Sequence, residues 1–224
     1  MTLAMHLHHR SLPQCSHRLR HHQPRYGHSS QRGVTLIEVL IALLILAFGL
    51  LGSAGLLVRA QQAEFESYQR KHALMIVENI VSRMQANRPV ADDCYAITTA
   101  ASGTPFLGTS TALAAPYTPV TCAGAGTQAQ RDTAAADLTA LQAALLGAGE
   151  TQGAANVGAL INARGCVSVT GSDVVGFTFN VSVAWQGIAE TSPPAATTNC
   201  GVGLYPSENL RRAVAVSFYV PVLS

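Results

Sequence analysis

Hydrophobic and polar positions divide this chain into stretches of different period. Residues 1–33 mix Arg, His, Ser and Gln with no apolar repeat. Residues 34–58 then form an apolar run whose single charged residue is Glu38. Its charge-free part, Val39–Val58, matches the roughly 20 residues that a helix needs to cross a ~30 Å hydrocarbon core. From Ala60 the pattern turns amphipathic. Phe65, Tyr68, His72, Ile76, Ile80 and Met84 recur at spacings of three or four, one face of a helix. The spacing predicts a single helix from residue 34 to about Asn87, where Pro89 turns the preceding backbone away from helix. At 1.5 Å per residue its length is roughly 80 Å, and the apolar stripe is expected to pack under a globular head.

The head has its own pattern. Residues 94–126 are rich in Thr, Ala, Gly and Pro and read as a loop region with short elements. Arg131–Leu146 carries Leu138, Leu141 and Leu145 at helical spacing. The period then falls to two. Phe177, Phe179, Val181, Val183 and Trp185 alternate with Thr178, Asn180, Ser182 and Ala184, and Val214, Val216, Phe218 and Val220 alternate with smaller or polar residues. Both are half-buried strand signals, and 166–169 is a third candidate. An α+β fold follows: an antiparallel sheet with one face on the long helix. The segment 190–207, with Pro193, Pro194 and Cys200, would connect the last two strands. Trp185 reads as core rather than as a binding anchor.

Charge refines this picture. The net +2 belongs to the first segment, which holds Arg10, Arg18, Arg20, Arg25 and Arg32 and no acid, whereas the remainder carries an acidic excess. The positive-inside rule places that segment in the cytoplasm and the head on the opposite side of a membrane. No clustered basic face is left for nucleic acid, and none is expected to bind. Cys94, Cys122, Cys166 and Cys200 all lie on the side where disulfides persist. They allow three pairings. The preferred one is sequential, Cys94–Cys122 with Cys166–Cys200, closing two loops worth roughly 3–4 kcal/mol each in the chain-entropy model. Zinc-type cysteine spacing is absent and no metal is expected. His6, His8, His9, His17, His21, His22 and His28 read as part of a basic leader rather than a metal tract. Outside that leader only His72 remains, and no nucleophile–base pair, phosphate loop or carboxylate cluster stands out, so neither an enzyme nor a cofactor is expected. Asp92 and Asp93 read as a solvated helix-terminal pair.

The order of these segments is opposite to that of an ordinary secretion signal, because the apolar run follows the candidate cleavage point instead of preceding it. Gly33, then Val34-Thr35-Leu36-Ile37-Glu38, then the apolar run, resembles the type IV prepilin class-III signal. The position after the glycine is Val34, where that family usually carries Phe. The segments 46–52, Ala86-Asn87-Arg88-Pro89, 136–142 and Val183-Ala184-Trp185-Gln186 resemble the PilV type of minor pilin, the type IV pilus modification proteins.

The resemblance implies the type IV pilin fold and a role without catalysis. A prepilin peptidase would cut after Gly33 and N-methylate the amine of Val34. Glu38 would pair with the new amino terminus of a neighbouring subunit during assembly. A carboxylate within hydrocarbon costs a few kcal/mol unless it finds such a partner, whereas at a helix start it also suits the dipole. The expected partners are the peptidase, other major and minor pilins, and the inner-membrane assembly platform of the pilus. The expected organisation is a cleaved leader at 1–33, a single membrane pass at 34–58, an amphipathic helical half at 59–88 and a disulfide-bonded periplasmic head at 89–224, carried finally to the cell-surface pilus. The alternatives are a minor pseudopilin of a type II secretion system and an uncleaved, membrane-anchored periplasmic binding module. Gly49, Gly52 and Gly55 allow close helix approach and weaken the helix by about 1 kcal/mol each relative to alanine.

Overall fold

A computed structural model describes residues 33–156, 158 and 160–221. The readings of the leader that concern 1–32, including its arginines and the histidine tract, lie outside the described residues. The chain divides into two compact units, Met1–Leu50 and Leu51–Ser224.

In the first unit, Gly33–Thr35 are non-helical and helix α1, Leu36–Ala86, begins directly after them. Thr35 caps it: its carbonyl accepts from the Glu38 N–H at 3.0 Å, with its hydroxyl 3.4 Å from the same nitrogen. The large apolar side chains of this unit are exposed, Leu36 at 82% and Phe48 at 70%. α1 contains a stretch long and apolar enough to cross a membrane.

The second unit holds the rest of α1 and the head. The face of α1 that is buried there consists of Gln69, Ala73, Ile76, Val77, Ile80 and Met84. This corrects the expected stripe. Ile76, Ile80 and Met84 are inside and His72 is half-buried, but Phe65 and Tyr68 remain 43% and 53% exposed. The reason is geometric. Residues spaced by four drift by about 40° per step around a helix of 3.6 residues per turn, so a stripe built on fours leaves the buried face within a few turns. α1 ends at Ala86, and a 3-10 turn, Arg88–Val90, leads into the short helix α2, Ala91–Tyr95.

Helix α3 runs Gln128–Leu145. It begins with a capping box in which the Thr127 hydroxyl accepts from the Gln130 N–H and the Gln130 side chain accepts from the Thr127 N–H. Leu138, Leu141 and Leu145 face inward with Ala134.

The main sheet has the order β1–β4–β5–β6 and is antiparallel throughout: β1 Leu107–Gly108, β4 Arg164–Ser172, β5 Gly176–Gln186 and β6 Arg211–Val220. A separate two-stranded ribbon pairs β2, Thr151–Gln152, with β3, Ala155–Asn156. Gly108 is required where β1 meets β4: at φ +101° a Cβ would stand 2.2 Å from the Ala163 carbonyl oxygen.

One core joins α1, α2 and α3 to the inner face of the sheet, with Phe179, Val181, Val183 and Trp185 of β5 in it. This is the α+β pilin arrangement, a long N-terminal helix with a C-terminal antiparallel sheet. β5 is not a simple half-buried strand, because Val181–Trp185 are buried on both faces. The 187–210 connection covers the outer face at that end. There Cys200 bonds Cys166 and joins a second cluster with Ala184 and Tyr205.

Candidate processing and assembly site

The sequence-predicted site residues fall in two places. Gly33, Val34 and Glu38 lie in the first unit, and the four cysteines lie in the second. Gly33 stands in exposed, non-helical chain, and no atom within 4 Å would meet a Cβ built on it. Val34 follows at 70% exposure. The peptide between them is therefore presented outside the hydrogen-bonded helix. Glu38 occupies the first turn of α1, is exposed, and among the described residues forms no ion pair. The Thr35-Leu36-Ile37-Glu38 spacing is also that of a helix start, an acid three residues after a capping threonine. This segment can offer a cleavable peptide, a new amine at Val34 and a carboxylate one helical turn further on.

Residues 28–54 match the model of the prokaryotic N-terminal methylation motif. This is a prepilin-type signal, and it supports a type IV pilin-like protein, a structural subunit rather than an enzyme. The motif implies processing by a prepilin peptidase and association with pilins. With the apolar part of α1, it points to a membrane-anchored protein. No curated protein and no solved structure matches the chain.

In the second unit the cysteines are bonded Cys94–Cys122 and Cys166–Cys200. The first bond ties α2 to the 3-10 turn Val120–Gly124; the second ties β4 to the 187–210 connection.

A buried polar cluster accompanies them, and the spacing of residues did not reveal it. Asp137, 5% exposed, accepts from Arg83 Nη1 at 2.7 Å and from the Tyr95 hydroxyl at 2.6 Å. Asn87 donates to the Tyr95 oxygen and to the Gln130 carbonyl. The cluster thus links the end of α1 to α2 and α3. Burial, and then the bond to Asp137, push the Tyr95 phenol pKa far above its usual value, so it stays a donor. The one available signal was an acid directly preceding Leu138 on the apolar face of α3.

Arg164, at the start of β4, is 6% exposed. Its guanidinium lies 4.7 Å from the Tyr205 ring centre and 5.4 Å from that of Phe106, and it donates to the Asn162 carbonyl. Aromatic faces stand where a carboxylate would be expected. Asp92 of α2 is half-buried, and that burial, with Asp93 beside it, raises its pKa above the usual carboxylate value.

Proposed function

We propose that this chain is a minor pilin of the PilV type, incorporated into the type IV pilus or priming its assembly. The observation that carries the pilin reading is the coincidence of Gly33, Val34 and Glu38 at the head of a helix whose stretch 39–58 is free of charge, within a match to the methylation motif at 28–54; the PilV type rests on the resemblance of 46–52, 86–89, 136–142 and 183–186. In this reading the peptidase cuts after Gly33 and methylates the Val34 amine. The apolar part of α1 then remains with the mature protein as its membrane anchor and later as filament core. Glu38 takes the amino terminus of a neighbouring subunit as its counter-charge, which removes the cost of a bare carboxylate in hydrocarbon. The disulfide-bonded head faces the periplasm and then the pilus surface.

Mass spectrometry of the mature protein tests the first step. The expected amino terminus is N-methylated Val34, and an intact leader on the membrane-inserted protein refutes the reading. Glu38→Ala tests the second: the variant is expected to be processed and inserted but lost from sheared pili. A deletion strain separates pilus from secretion. Loss of surface pili and twitching is expected, with exoprotein export unchanged.

A further inference from the structure

The outer face of the main sheet, opposite the core, carries a different chemistry from the inner one. Ser168, Asn180 and Ser217 stand side by side on it across β4, β5 and β6. Cys166 and Ser182 form the next outward pair toward one end of the strands, and Thr170 and Thr178 the next toward the other. The 98–103 turn and the 197–200 part of the connection wall this face in. Asn199 ties these walls together, its Nδ2 donating to the Ala100 carbonyl at 2.9 Å and to the Ala101 carbonyl at 3.3 Å. Between them and the sheet lies a pocket of about 250 Å³.

No acid, base or phenol lines this pocket. Hydroxyls and carboxamides do, and several are unused. Among the described residues the Ser168, Thr178 and Ser182 hydroxyls have no hydrogen-bond partner, and Asn180 uses one N–H on Ser217 Oγ at 3.0 Å and leaves its oxygen free. Ser182 is 4% exposed. Its hydroxyl is not one of the fully enclosed atoms without a partner, which are Gln69 Oε1, Arg164 Nε and Trp185 Nε1; it opens on the pocket that it lines. A polar group so buried is normally bonded, and here the bond has to come from outside the sheet.

We propose that this pocket binds one neutral pyranose unit at the end of a glycan. An ion entering it would give up water and meet no counter-charge. Each free hydroxyl of the floor both donates and accepts, as each sugar hydroxyl does. A peptide would instead seek an open strand edge for its own N–H and C=O groups, and β5, between β4 and β6, has none. Side chains on such a face stand roughly 5 Å apart across strands and about 7 Å apart along them, a grid that one sugar ring spans. Tyr219, 56% exposed, lies on the same face directly opposite Thr178. Its hydroxyl donates to the Val175 carbonyl, and its ring offers an apolar platform to the C–H face of a sugar. The proposal does not depend on processing at Gly33 or on a role in pili.

The ¹⁵N-labelled full chain, in lauryldimethylamine oxide micelles so that no sugar headgroup is present, would be titrated with the methyl glycosides of glucose, galactose, mannose and N-acetylglucosamine. Charged methyl glucuronide and the peptide acetyl-Ser-Thr-Ser-amide serve as competitors of other chemistry. Saturable shifts of the Ser168, Asn180 and Ser182 amides and of the Asn180 carboxamide are expected with at least one neutral glycoside and with neither the glucuronide nor the peptide. Ser182→Ala removes no bond to a described residue. It should weaken the active glycoside at least about threefold, the worth of one hydrogen bond, and leave the unliganded spectrum away from residue 182 unchanged. Thr178→Val tests a second hydroxyl in the same way. No response to any neutral glycoside, an equal response to the glucuronide or the peptide, or unchanged affinity in both variants overturns the proposal. The first of these outcomes would mean that the pocket holds water alone.

Discussion

Asp137 sits among leucines on the inner side of α3, and the fold aims two donors at its carboxylate. Arg83 takes one oxygen and Tyr95 the other. Removing one donor leaves a buried acceptor short of a partner, which costs more than an average hydrogen bond contributes. Tyr95→Phe is therefore expected to lower stability by about 1–3 kcal/mol, read from urea denaturation of the full chain in detergent. An unchanged midpoint would show that solvent replaces the phenol. Arg164 is the opposite case, a buried cation held by ring faces. Lysine retains the charge but not the flat surface that stacks on Tyr205 and Phe106. Arg164→Lys should cost roughly 1–2 kcal/mol, the range of a desolvated cation–π contact; equal stability of the two proteins would mean that the rings contribute only packing.

At the scale of elements, the two long helices and the three long strands are readable because each has a strong period, whereas the five-residue α2, Ala91–Tyr95, is too short to have one. The 3.6-residue pattern of α3 and the two-residue pattern of β5 and β6 survive single departures. What the period could not settle was which residues of α1 turn inward, since Phe65 and Tyr68 fit a four-residue repeat but not the buried face. The apolar spacing places the start of α3 at Arg131, whereas the helix begins three residues earlier, at Gln128. Its signal lies in Thr127 and Gln130, a pair separated by three rather than an apolar residue. Thr127→Ala should remove the cap and cost about 1 kcal/mol, seen as a lower thermal midpoint. Thr127→Ser should restore it. β5 departs from alternation for a tertiary reason: Ser182 and Ala184 lie on the outward side but are covered by the connection that Cys200 anchors.

For the molecule as a whole, the head is held by one core and two covalent ties. Breaking Cys166–Cys200, which spans 34 residues, frees the cover of the sheet. Its loss should lower stability by about 3–4 kcal/mol in the chain-entropy model, read from urea denaturation of the full chain in detergent. A denaturation midpoint equal to that of the oxidised protein would refute the tie. Acid acts on the same connection through Glu208. Desolvation alone would raise its carboxyl, but the Gly203 N–H and the Arg211 guanidinium outweigh that and hold the pKa below the ordinary value of 4.5. A lowered native pKa contributes stability above the unfolded pKa, and that contribution is lost as pH falls through the native value. Stability should therefore drop as pH falls below about 4.5, with a shallower acid limb in Glu208→Gln.

Local patterns in consecutive residues specify the long helix, its charge-free span, the lone Glu38 behind Gly33 and the alternating strands. The sequence also limits the cysteines to three pairings. Three-dimensional packing sets which face of α1 is buried, which outward residues of β5 are covered, and the meeting of Arg83, Asn87, Tyr95 and Asp137 in one cluster. These depend on contacts between residues far apart in the chain. No period records such contacts: a polar residue inside a core becomes favourable only once its distant partners have been brought to it.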